Sequence, residues 1–168
     1  DMRQVFSPVF AEYINLNVWL LTNGDLFVAM LQNLSAYGCL ILLYGILRKL
    51  GGSIKWALFA CILAMSMNVF NAEIFSPDVD MVGTFYLMIL IYLMLEVLYE
   101  SKLTIFQFTL LGLISGFLYI TKTNVCIPAA LIIIYVAIVK IFQGRFKIIL
   151  LGVISLIFIS FLVFPTFY

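Results

Sequence analysis

Histidine is absent from all 168 residues, charged side chains make up only 10%, and there are just three cysteines and four prolines. Each shortage excludes something. Without histidine this stretch holds no Ser-His-Asp or Cys-His triad and no histidine-containing metal site. Cys39, Cys61 and Cys126 are odd in number and far apart in apolar sequence. They read as small core hydrophobes, with neither metal-ligand spacing nor a disulfide framework. No glycine-rich phosphate cradle and no CxxC pair occurs, and a net charge of +1 gives no electrostatic footprint for nucleic acid.

What is present is apolar. Hydrophobic residues reach 65% and the mean hydropathy is +1.22, against about 45–50% apolar and about 25% charged in soluble domains. Such a chain cannot cover itself with a water-compatible surface. It reads as an all-α, polytopic transmembrane helical bundle, one membrane domain over residues 1–168. At about 20 apolar residues per span, the length accommodates about six crossings. Apolar runs at 26–47, 56–72, 81–99, 104–121, 127–142 and 148–166 supply them. The fifth run is the shortest, and a hydrocarbon core of ~30 Å requires that it tilt least or extend past these limits.

Ahead of the spans, residues 5–22 predict an interfacial helix. Ser7-Pro8 supplies a cap and first turn, and Val9, Phe10, Tyr13, Ile14, Val18 and Trp19 are mixed with Glu12, Asn15 and Asn17. The Asn23-Gly24 pair then marks a turn. The chain opens at Asp1-Met2-Arg3 without a signal-like leader and stops at Pro165-Thr166-Phe167-Tyr168, so we expect a piece of a larger membrane protein.

Charge sets an expected orientation. If the helices alternate, Arg48, Lys49, Lys55, Lys102, Lys140, Arg145 and Lys147 share one side, and only Arg3 and Lys122 fall on the other. The positive-inside rule makes the first side cytoplasmic. Asp1, Glu12, Asp25, Glu73, Asp78 and Asp80 gather opposite, leaving Glu96 and Glu100 near the cytoplasm. Any chemistry is therefore expected on the extracytoplasmic side.

Two places there carry reactive groups. Glu73, Asp78 and Asp80 lie close together in a chain with only eight acids, and Pro77 stiffens the backbone between them. Asp80 is placed at or just before a helix start, where the dipole favours its charge. Such carboxylates can act as a base, hold a divalent cation, or simply cap a helix and solvate a loop. Lys122 follows Thr121 at a helix end; it can hold a phosphate as a compact point charge or merely snorkel. Asn33-Leu34-Ser35 matches a glycosylation sequon inside an apolar span, where it is out of reach. Gly112, Ser115 and Gly116 form a small-residue face suited to close helix packing.

Taken in order, Ser7-Pro8-Val9-Phe10-Ala11-Glu12-Tyr13, the Gly24-Asp25 turn, Gln32, Ser76-Pro77-Asp78-Val79-Asp80 and Gly112…Gly116…Thr121-Lys122 resemble the multi-pass C-type glycosyltransferases. The likeness is to the bacterial branch related to protein O-mannosyltransferases and the lipid A aminoarabinose transferase, and it covers roughly residues 3–142. It implies a bacterial inner-membrane transferase that passes a sugar from a polyprenyl-phosphate donor to a hydroxyl of a lipid, glycan or protein. Within the resemblance, Asp80 takes the acidic catalytic position when counted to Phe85-Tyr86, and Asp78 when the Pro-Asp dipeptide is followed. Lys122, Glu12 and Tyr13 fall to substrate binding, and a divalent cation at Asp80 is compatible with it. The first helix and its acidic loop are then expected upstream of Asp1 and further helices beyond Tyr168, which would leave this segment catalytically incomplete. The alternative from another class is a transporter or lipid flippase, or a non-catalytic polysaccharide-assembly protein. The scarcity of mid-membrane charge, with Glu96 the nearest exception, weighs against transport.

Overall fold

The computed structural model describes residues 10–23, 27, 29–76, 80–99, 105–121 and 123–143. Among these, every regular element is a helix: α1 (Phe10–Thr22), α2 (Met30–Lys49), α3 (Ile54–Ser66), α4 (Asn68–Phe75), α5 (Asp80–Tyr99), α6 (Ile105–Thr121) and α7 (Thr123–Phe142).

Local chemistry explains the α2–α3 hairpin. Gly51 adopts φ +89°, a left-handed conformation that side chains resist. Its N–H donates to Arg48 O (3.2 Å) while Gly52 N–H donates to Leu47 O (2.9 Å). This Schellman closure satisfies carbonyls that a helix end otherwise leaves open. Gly52 is required as well, because a Cβ there would lie 2.8 Å from Leu47 O. Ser53 then caps α3, its Oγ accepting from Trp56 N–H at 3.4 Å. With stop and start this close, α3 folds back along α2, and Cys61 Sγ donates to Leu40 O at 3.4 Å.

The second apolar run, expected as one span over 56–72, is instead broken. Met67 is extended (φ −73°, ψ 128°), and the helix axes on either side differ by 69°. Polar side chains around the break offer the backbone other partners: Ser66 Oγ donates to Leu63 O (2.7 Å) and Asn71 Nδ2 to Met65 O (3.0 Å). Carbonyls near the bend are thereby satisfied in apolar surroundings, where an open one is costly.

α5 is the central helix, packed against α2, α6 and α7. Gly38 of α2 receives the Phe85 ring, Gly45 receives Tyr92, and Lys49 pairs with Glu96. The offset is the same throughout, 47 residues as in the Lys49–Glu96 pair, so α2 and α5 run parallel and in register. A pass in the opposite direction, supplied by α3 and α4, makes that possible. Leu90, Leu93, Met94 and Val97 of α5 form a core with Leu111, Ile114 and Leu118 of α6 and Ala129 and Val136 of α7. Tyr86 stacks on Phe117 with centroids 5.5 Å apart, which makes α6 antiparallel to α5. Lys140 Nζ donates to Leu98 O (3.2 Å), so α7 runs parallel to α5 again.

The bundle therefore has two ends. One gathers the starts of α2, α5 and α7 with the end of α6; the other carries Lys49, Glu96 and Lys140. Large apolar side chains such as Ile41, Ile62, Val69, Phe106, Ile127 and Tyr135 are exposed, as suits helices facing lipid. α2, α5 and α7 are long and apolar enough to cross a bilayer, and the α3–α4 pair makes a fourth if it counts as one broken span. The chain is an integral membrane protein. Its α6 has 17 residues, about 25 Å of helix, short of a ~30 Å core. The fifth apolar run does extend past its expected start, since α7 begins at Thr123 and reaches 20 residues with Pro128 inside it. The run at 148–166 lies outside the described residues, and the described helices supply three or four crossings where six were expected.

Candidate functional site

α4 is the element that builds the acidic corner. Because it leaves α3 at a steep angle, its last turn comes to lie beside the starts of α2 and α5. Gln32 is 1% exposed. Its Nε2 donates to Glu73 O (3.2 Å), and its Oε1 accepts from Met81 N–H (3.1 Å). The neighbouring Asn33 donates from Nδ2 to Ile74 O (3.1 Å) and to Ala29 O within its own helix (2.8 Å). Two successive amides of α2 thus reach the final carbonyls of α4, and one of them also reaches the first amides of α5. Helix ends leave such groups short of partners, and Glu73 O accepts from Ser76 N–H (3.2 Å) as well.

Asp80 is the first residue of α5 and is half-buried; Thr84 Oγ1 donates back to its carbonyl at 2.9 Å. Glu73 contributes a second carboxylate at this corner, and its Oε2 is buried without a hydrogen-bond partner among the described residues. Thr121, 1% exposed, closes α6 at the same end of the bundle, its Oγ1 donating to Phe117 O (2.6 Å). Asp78 and Lys122 lie outside the described residues. Glu12 and Tyr13 are exposed on α1, which packs on α6.

The opposite end is a lock between helices. Lys49 Nζ lies 2.5 Å from Glu96 Oε1 and 3.9 Å from the centroid of the Tyr92 ring. Lys140, 2% exposed, donates to the last turn of α5, where a cation complements the helix dipole. Glu96, the acid nearest to mid-membrane by sequence, is thus paired. Cys39 is buried, Cys61 and Cys126 are half-buried, and none of the three forms a disulfide.

Sequence reasoning placed Asp80 at the helix start correctly. It underrated Gln32 and Asn33, treating the first as one element of a resemblance and the second as a spurious sequon. The available signal was energetic: adjacent amides in an apolar helix need partners. Among the described residues no three histidine, cysteine or carboxylate side chains gather as a metal-ligand cluster. The chain matches no family model, no curated protein and no solved structure.

Proposed function

We propose that the chain is part of a bacterial inner-membrane glycosyltransferase that moves a sugar from a polyprenyl-phosphate donor to a hydroxyl acceptor on the extracytoplasmic face. The observation that supports it is the position of Asp80, at the start of α5, on the same end of the bundle as Thr121, from which Lys122 follows. A base and a phosphate-holding cation are then available beside the bilayer, where a lipid-linked donor presents its head group. In this reading a carboxylate, Asp80 or alternatively Asp78, accepts the proton of the acceptor hydroxyl. The hydroxyl oxygen bonds to the anomeric carbon as the bond from that carbon to the phosphate oxygen breaks. Polyprenyl phosphate leaves, its charge held by Lys122. Glu12 and Tyr13 of α1 border the donor in this scheme. A divalent cation at Asp80 is compatible with this scheme, with a carboxylate such as Asp80 as the residue that would hold it. The full reading has about six spans, with α1 in the membrane interface.

The test is transfer from a panel of polyprenyl-phosphate-linked sugars by the intact protein in membranes. Asp80→Asn should lower kcat by about 10²–10⁴-fold, the usual contribution of a general base, and Lys122→Met should also slow transfer. Full activity in both variants would remove the assignment. The 69° break between α3 and α4 favours a second reading, because substrate sites in transporters use interrupted helices. Asp80-dependent flux of an unmodified substrate, without sugar transfer, would select it.

A further inference from the structure

We infer that Gln32 is the positioning residue of the acidic corner: a single buried amide holds both flanks of the 76–79 connection and thereby sets where Asp80 stands. The activity arm of this proposal rests on the transferase reading; the geometric arm does not. On one flank the amide donates to Glu73 O, and on the other it accepts from Met81 N–H, one residue after Asp80. Asn33 secures the first flank a second time through Ile74 O.

The residue type follows from its two tasks. A donor and an acceptor must sit on one planar group at the end of a stem long enough to reach from α2 to both neighbours. Lysine and arginine offer no acceptor, an ionised glutamate offers no donor, and asparagine is one methylene shorter. Water is excluded from Gln32, so loss of the amide takes away the side-chain acceptor of Met81 N–H and leaves Glu73 O with only its bond from Ser76 N–H (3.2 Å). The corner would then shift to find other partners. A shift of ~1 Å at a reacting group lowers rates on the order of 100-fold.

Two variants of the intact protein in membranes test this. Gln32→Met should lower kcat on the order of 100-fold with the KM for the lipid donor unchanged, because the donor's own contacts remain. Gln32→Glu should make transfer depend on pH in a way the parent does not. A neutral carboxylic acid has one O–H to donate to Glu73 O and one carbonyl to accept from Met81 N–H, whereas the ionised form has acceptors only. Activity should therefore be near that of the parent at low pH and fall as pH rises. A readout independent of catalysis is maleimide labelling of Ser76→Cys, with Cys39, Cys61 and Cys126 replaced; adding Gln32→Met should speed it several-fold. Unchanged labelling and unchanged kcat would overturn the proposal. So would equal loss of folded protein in both variants at every pH, with kcat per folded molecule preserved. If the parent transfers no sugar but labelling still responds to Gln32→Met, the positioning role stands and the transferase reading fails.

Discussion

Lysine, glutamine and threonine stand beside leucine among the most deeply buried side chains of this membrane protein. Each is tolerated because a backbone or side-chain group answers it, as with Lys140 on Leu98 O, Gln32 on Glu73 O and Met81 N–H, and Thr121 on Phe117 O. The Lys49–Glu96 pair follows the same rule, with side-chain exposures of 27% and 21%. Removing one partner leaves a charge without its answer in a poorly hydrated place, whereas removing both leaves only lost packing. Lys49→Met should therefore lower the melting temperature of the detergent-solubilised protein, and Lys49→Met with Glu96→Gln should recover part of the loss. The double-mutant cycle should give a coupling of about 0.5–3 kcal/mol; strictly additive losses would show that the pair is incidental. None of these partnerships was legible in the sequence. Lys49 read there as one of the basic residues on the cytoplasmic side and Glu96 as the nearest exception to the scarcity of mid-membrane charge, and nothing joined them, because their meeting depends on the register of two helices 47 residues apart.

Between elements, glycine fixes how closely α2 and α5 approach. A Cβ on Gly38 would run into the Phe85 ring, while one on Gly45 would come within 3.2 Å of Tyr92 Cε2. An aromatic ring held between helices cannot fold away as a flexible chain would. Gly38→Ala should then cost about 1–3 kcal/mol from overpacking, more than Gly45→Ala, and Phe85→Leu should relieve it. Thermal unfolding of the three variants checks this; equal, small losses at both glycines would mean the seam is loose. The break between α2 and α3 was legible as the gap between the apolar runs 26–47 and 56–72, while the paired glycines and the serine that close one helix and open the next went unread there. The break at Met67 was not. Ser66, Asn68 and Asn71 are weak signals one at a time, and the hydrophobic average over 56–72 conceals a 69° bend. The acidic corner depends on that bend, because a straight helix would not bring the last carbonyls of α4 to Gln32.

For the molecule as a whole, composition was enough to announce a membrane-embedded helical bundle, since apolar runs of this length satisfy their own backbone groups only as helices. Helix count was less legible. Run length does not separate a straight span from a broken one, nor the 17-residue α6 from a full crossing. The alternation of direction carries most of the functional argument. Parallel α2 and α5, with antiparallel α6 beside them, bring the Glu73–Asp80 corner and the end of α6 to one end of the bundle and leave Lys49, Glu96 and Lys140 at the other. Labelling of single cysteines with a membrane-impermeant maleimide, in right-side-out and inside-out vesicles, tests that arrangement most directly. Ser76→Cys and Lys122→Cys should react in right-side-out vesicles and Lys55→Cys only in inside-out ones, whereas reaction of positions 76 and 122 from opposite faces would contradict the account.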